Sequence, residues 1–150
     1  MELILWRHAD AQDGVPDMSR ALTAKGVKQA ERMAAWLKPR LPEDCRILVS
    51  PAVRAVQTAD ALGLDYKVTD KISPGADATA LLAAAGWPDA GRPALLIGHQ
   101  PSLGLACSLL LFGQEVELSI KKGGIVWLSN RVRGNSPQTV LKAVMTPEML

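Results

Sequence analysis

Histidine and cysteine are both scarce in this chain, with two of each among 150 residues. Cys45 and Cys107 lie in apolar contexts and read as buried free thiols. Two such cysteines make no disulfide framework, and a reducing compartment fits that usage. No Cys/His cluster has the spacing of zinc ligands, so no metal and no cofactor are expected. A surplus of one charge is missing too: 17 Lys and Arg face 15 Asp and Glu, for a net charge of +2. Nucleic-acid binding usually shows as a basic stripe, so nucleic acid is not expected as a partner. The N-terminus has no basic region followed by an apolar stretch and a cleavage site. Leu95 to Gly113 is apolar enough to test as a membrane span, but His99, Gln100, Pro101 and several glycines interrupt it. It reads as a buried strand, a turn and a core helix. The expectation is a cytoplasmic protein without a membrane partner. With no internal repeat or low-complexity tract, residues 1–150 read as one domain.

What is present is an ordinary globular composition, 48% hydrophobic and 21% charged. A chain of this length can bury about two-thirds of its unfolded surface. Leu3 to Trp6, Arg46 to Val49, Tyr66 to Thr69 and Ala94 to Ile97 read as short strands. Helices fall between them. One is capped by Thr23 and runs to about Lys38, with Val27, Ala30, Met33, Ala34 and Leu37 on one face. One starts at Ser50 as N-cap with Pro51 at its first position and ends near Leu62 before Gly63. A third spans Asp77 to Ala85, and a fourth runs from Pro101-Ser102 to Phe112. Ala9 to Ala21 reads as loop. Ile125 to Leu128, a turn-rich stretch from Asn130 to Pro137, and Thr139 to Val144 predict a C-terminal β-hairpin. The alternation predicts an α/β protein, a three-layer α/β/α sandwich around a mostly parallel sheet.

The two histidines sit where apolar runs stop. His8 follows Leu3-Ile4-Leu5-Trp6-Arg7, and His99 follows Ala94-Leu95-Leu96-Ile97-Gly98. A third run breaks at Ser50-Pro51, with Arg54 just beyond. Ligands bind at the carboxyl edge of open α/β sheets. Arginine forks match phosphoryl oxygens, and helix N-termini favour anions. Arg7, His8, Arg54 and His99 together predict a pocket for a dianionic tetrahedral group.

Four segments carry a resemblance. Leu5-Trp6-Arg7-His8-Ala9 looks like the Arg-His-Gly signature of the histidine phosphatase superfamily. Leu22-Thr23-Ala24-Lys25-Gly26-Val27-Lys28-Gln29-Ala30 is similar to its Leu-Thr-x-x-Gly-x-x-Gln-Ala helix. Ser50-Pro51-Ala52-Val53-Arg54-Ala55-Val56-Gln57-Thr58-Ala59 resembles its Ser-Pro-x-x-Arg-Ala-x-Gln-Thr-Ala segment, and Gly98-His99-Gln100-Pro101 its second histidine motif. The short stretch between Arg54 and His99 resembles the SixA-type phosphohistidine phosphatases. The resemblance implies a phosphoglycerate mutase-like fold and a metal-independent phosphatase. His8 would be the nucleophile and become phosphohistidine, while Arg7, Arg54 and His99 hold the phosphoryl oxygens. Ser50, Gln100 and Arg20, just before the Leu-Thr helix, are further candidates for substrate contact.

Two positions depart from the pattern. Ala9 replaces the family glycine, which demands backbone angles that tolerate a Cβ. The glutamate by which larger relatives protonate the leaving group has no clear counterpart. Asp77 stands roughly where an acid could come from, and equally reads as a helix N-cap. A cationic cradle with a weak acid suits phosphohistidine, whose imidazole leaves more easily than an alkoxide. The expected substrate is a phosphohistidine-bearing protein such as a phosphotransfer domain, with inorganic phosphate as product. The alternatives are a small-molecule phosphomonoesterase of the same fold and a catalytically weak phosphate-binding module. Asp10 reads as a loop organiser, and Lys121-Lys122 as a solvated turn.

Overall fold

A computed structural model describes residues 1–150. Its centre is one six-stranded sheet built from β1 (Glu2–Arg7), β2 (Arg46–Val49), β3 (Lys67–Val68), β4 (Ala94–Gly98), β5 (Ile125–Arg133) and β6 (Ser136–Met145). The strand order is β3-β2-β4-β1-β5-β6. The first four strands run parallel, and β5 and β6 run antiparallel at one side. Four helices cover the sheet: α1 (Ala24–Leu37), α2 (Val53–Asp60), α3 (Ala78–Ala85) and α4 (Ser102–Phe112).

Alternation along β1 shows why both faces need covering. Leu3 and Leu5 pack with α3 and α4, whereas Ile4 and Trp6 pack with α1 and α2. Successive side chains in a strand point to opposite faces, so a strand apolar at every position needs helices on both sides. The expected three-layer sandwich, mostly parallel with a C-terminal hairpin, is what forms.

Local departures have identifiable causes. On α1, Gly26, Ala30, Met33, Ala34 and Leu37 are buried, while Val27 is half exposed. The buried stripe begins at Gly26 because a backbone lies against it. A Cβ there would stand 2.0 Å from the Asp10 carbonyl oxygen. Gly26→Ala is expected to destabilise by about 1–3 kcal/mol, despite alanine's better helix propensity, because backbone must move. Chemical denaturation would measure it. The stretch from Asn130 to Pro137 is not a long turn. Strand pairing continues through Arg133↔Ser136, and only Gly134-Asn135 turns. Pro137 is tolerated because β6 is an edge strand. The third strand shrinks to Lys67–Val68. Both cysteines are free; Cys107 is buried and Cys45 half-buried.

Candidate active site

The register assembles the site. β1 pairs with β4 so that Arg7 lies opposite Gly98. The next residues, His8 and His99, therefore leave neighbouring strands at one edge, with ring centroids 5.2 Å apart. β2 flanks β4 on its other side with Val49 opposite Ile97, which brings Ser50 to the same edge. Its Oγ lies 2.7 Å from His99 Nε2.

Ser50 does not cap a helix. α2 starts at Val53 with Ala52 as N-cap, and Ser50 Oγ accepts from the Ala52 N–H at 3.2 Å. The Ser-Pro bend delays the helix, and the hydroxyl serves His99 instead. Arg54 then falls in the first turn of α2, only 3% exposed. Its Nε donates to His8 Nε2 at 3.3 Å, and its two terminal nitrogens donate to the carbonyl and carboxylate of Asp17.

His8 is held at its other nitrogen. Nδ1 lies 2.7 Å from the Ala9 carbonyl oxygen. A carbonyl only accepts, so the ring proton sits on Nδ1 and the Nε2 lone pair faces Arg54. Burial pushes the His8 imidazole down to about 4, and the nearby Arg54, Arg7 and Arg20 act in the same direction, against the Ala9 carbonyl. Burial likewise pushes His99 down to about 3, reinforced by His8 and Arg54. Both rings are neutral at physiological pH.

The sign of the pH dependence follows. An unfolded histidine takes up a proton near 6.5, which these two refuse until the pH is far lower. Stability is therefore expected to fall as pH drops from about 6.5 toward 4, by at most about 1.4 kcal/mol per pH unit for each ring. Denaturant midpoints at pH 7 and 4.5 would show it, and His99→Asn should flatten the difference.

A cavity of about 200 Å³ joins these groups, lined by Arg7, His8, Arg54 and His99 together with Arg20 and Lys122. Arg7 is anchored by a 2.6 Å bond from its guanidinium to the Ile120 carbonyl, with its Nε buried and unpartnered. Arg20 reaches the rim and bonds Asp17 and the Gln12 carbonyl. Gln100 also lines the cavity, but its amide links the Gly104 N–H to the Leu118 carbonyl. It braces the wall. The Leu103 and Gly104 N–H groups at the start of α4 are bonded within the chain, so side chains supply most of the cavity's positive charge. Asp77 does not reach the cavity. It caps α3 by accepting from the Ala80 N–H at 2.8 Å and from Thr79 Oγ1 at 2.9 Å, exposed to solvent.

Among known proteins, an uncharacterized protein of Picosynechococcus sp. is 37% identical over 141 residues, covering 85% of this chain and 84% of that one. Phosphohistidine phosphatase SixA of Escherichia coli is 32% identical over 123 residues, 76% of each chain. The profile of the histidine phosphatase superfamily (branch 1) matches residues 3–76. The chain belongs to the histidine phosphatase superfamily. A solved structure of the protein histidine phosphatase SixA complexed with tungstate superposes with a TM-score of 0.82 at 28% identity, covering 99% of both chains. The architecture is thus phosphoglycerate mutase-like.

Membership explains residues whose work the sequence concealed. Gln29 Oε1 accepts from the Asp10 N–H, Gln57 Oε1 from the Leu22 N–H, and Thr58 Oγ1 from the Ala9 N–H. These motif positions clamp the loop after β1, and their signal was the motif itself. Asp10 organises that loop, bonding Thr23 and Lys122. Ala9 is fully buried against Leu22 and Ala30. Its backbone needs no glycine conformation, since Asp44 alone among non-glycines has a positive φ. Asp17 and the rim carboxylate Asp13 gave no sequence signal, since both lie in a polar loop. No helix is long and apolar enough to cross a membrane.

Proposed function

We propose that this phosphatase removes phosphate from phosphohistidine in a protein, through a covalent phosphohistidine on Nε2 of His8. The observation that carries the reading is the tautomer lock. The Ala9 carbonyl accepts a hydrogen bond from Nδ1–H, which keeps the proton there and leaves the lone pair of Nε2 as a neutral nucleophile inside a cavity of cations. Nε2 attacks phosphorus as the bond to the substrate imidazole breaks; that imidazole, protonated at its other nitrogen, takes the P–N electron pair and leaves neutral. Water then cleaves the new P–N bond, releases inorganic phosphate and restores His8. Arg7 and Arg54 offset charge on the phosphoryl oxygens. Ser50 Oγ holds the His99 ring at Nε2, 2.7 Å away, and so fixes its orientation at the cavity wall. Tungstate, the ligand named for the SixA structure, is a tetrahedral oxyanion of the kind such a cavity suits.

The substrate class follows from proton supply. A carboxylic acid is an effective donor when burial raises its pKa. The carboxylate lining this cavity, Asp13, is exposed at the rim. A phosphohistidine needs less help to leave than a phosphoester does. Asp13 is also the one observation that favours a small-molecule phosphomonoesterase, with it as the acid.

No group of three or more His, Cys, Asp or Glu side chains is placed to hold a metal ion, and the fixed cations do the electrostatic work. Turnover is expected to be unchanged by a chelator, within about twofold, as a phosphate-release assay with and without EDTA would measure. The deciding experiment compares a phosphohistidine-bearing phosphotransfer domain, an aryl phosphate and a sugar phosphate, with His8→Asn as control. Rapid His8-dependent release from the protein alone supports the proposal. Equal or faster release from the sugar phosphate sinks it in favour of a phosphomonoesterase, and inactivity on all three favours a binding module.

A further inference from the structure

A second, larger concavity opens beside the histidine pocket. It measures about 770 Å³ and shares Arg7 and Lys122 with the smaller cavity, so these two side chains stand between the two. Lys25, Lys28 and Arg32 on α1 form one wall, and Lys121 and Lys122 stand on the loop before β5. Six cationic side chains line it against one carboxylate, Glu148. Glu148 is already paired with Lys121 at 2.8 Å, and Lys122 with Asp10 at 2.9 Å. Lys25, Lys28 and Arg32 are exposed and make no ion pair.

This charge is segregated, not a sample of the average surface. The whole chain carries +2, so removing the groove's excess of five leaves the rest at −3. The cations are also spread out. Lys25 to Arg32 spans about 10 Å along α1 at 1.5 Å per residue. A row of separated charges matches a row of carboxylates on a folded surface better than one compact anion, which needs donors converging on a point. The groove adjoins the cavity that holds His8, with Arg7 and Lys122 common to both linings, so a surface seated in it lies beside the group that reacts.

We infer that the groove of Lys25, Lys28, Arg32 and Lys121 is a docking surface for an acidic protein face flanking the phosphohistidine that enters the cavity. The choice of a protein partner rests on the phosphohistidine reading; the charge of the partner rests on the groove. Such a surface steers encounter and lowers KM without touching the chemical step, and its effect fades with salt.

The test uses the full chain, a charge-reversed variant K25E/K28E/R32E and a neutral variant K25Q/K28Q/R32Q. Binding of a fluorescent glutamate-rich peptide is measured at low and high salt. So are kcat and KM on a phosphohistidine-bearing phosphotransfer domain with an acidic surface, and turnover of an aryl phosphate. Peptide binding is expected to weaken at least about tenfold on charge reversal, with the neutral variant between. KM for the protein should rise by a similar factor and lose its salt dependence, while kcat and aryl phosphate turnover stay level. Equal peptide binding by all three proteins overturns the inference, as does an equal loss on the aryl phosphate. Charge-dependent binding of tripolyphosphate without any effect on the peptide also overturns it, in favour of a small polyanion. Failure of the wild type to hydrolyse the phosphotransfer domain, with peptide binding still tracking the groove charge, overturns the substrate reading and leaves the docking surface standing.

Discussion

His8→Asn is expected to lose turnover by roughly 10⁴-fold or more while keeping the fold, since it removes the group on which the covalent step depends. Asparagine's amide can still donate to the Ala9 carbonyl that Nδ1 faces at 2.7 Å. The lock is thereby retained while the nucleophilic lone pair is lost. The readout is acid-labile phosphate on the protein after brief mixing with substrate: present in the wild type, absent in the variant. A melting temperature within a few degrees of wild type would show that chemistry, not folding, was removed. The same lock fixes the pH response. With His8 neutral down to about 4, the nucleophile's contribution to the acid limb of kcat/KM should fall near that value and not near 6.5. Turnover that survived His8→Asn would remove the nucleophile assignment and, with it, the covalent mechanism.

The core of the site was legible because its parts are punctuation marks in the sequence. Arg7-His8 and Gly98-His99 each end an apolar run, and parallel pairing of β1 with β4 makes two such endings adjacent. That inference needs only strand direction. What escaped depends on tertiary partners. Ser50-Pro51 has the local signature of a helix start, yet the Ser50 hydroxyl lies against His99 across the strand boundary, and the long-range contact outcompetes the cap. The run from Asn130 to Pro137 has turn composition, but pairing of β5 with β6 carries the ladder through all but two residues. Gln29 and Gln57 look like ordinary polar helix residues until the loop they clamp is present. Lys121-Lys122 reads as a solvated pair because nothing local announces that Lys25, Lys28 and Arg32 face the same groove. Asp77 had two readings, and the capping bonds to Ala80 and Thr79 select the structural one.

Arg54→Gln is expected to lower kcat/KM by roughly 10³-fold, the scale of removing a preorganised cation from a developing phosphoryl charge. The loss combines two effects that a pH profile separates. Arg54 offers positive charge to the transferring group, and it also helps hold the His8 imidazole below its ordinary value. Without it, the acid limb of kcat/KM should move upward from about 4 as part of that pressure is lifted. Arg54→Lys keeps a charge but not the fork that reaches His8 Nε2 and Asp17 together. It should lose rate with a smaller shift of the acid limb. The fold should survive both changes. The partner carboxylate, Asp17, is 56% exposed, so water replaces the lost contact and no buried charge is stranded. A loss of less than tenfold in Arg54→Gln would mean that Arg7 and His99 suffice for the phosphoryl group and that Arg54 serves chiefly to hold the Asp17 turn.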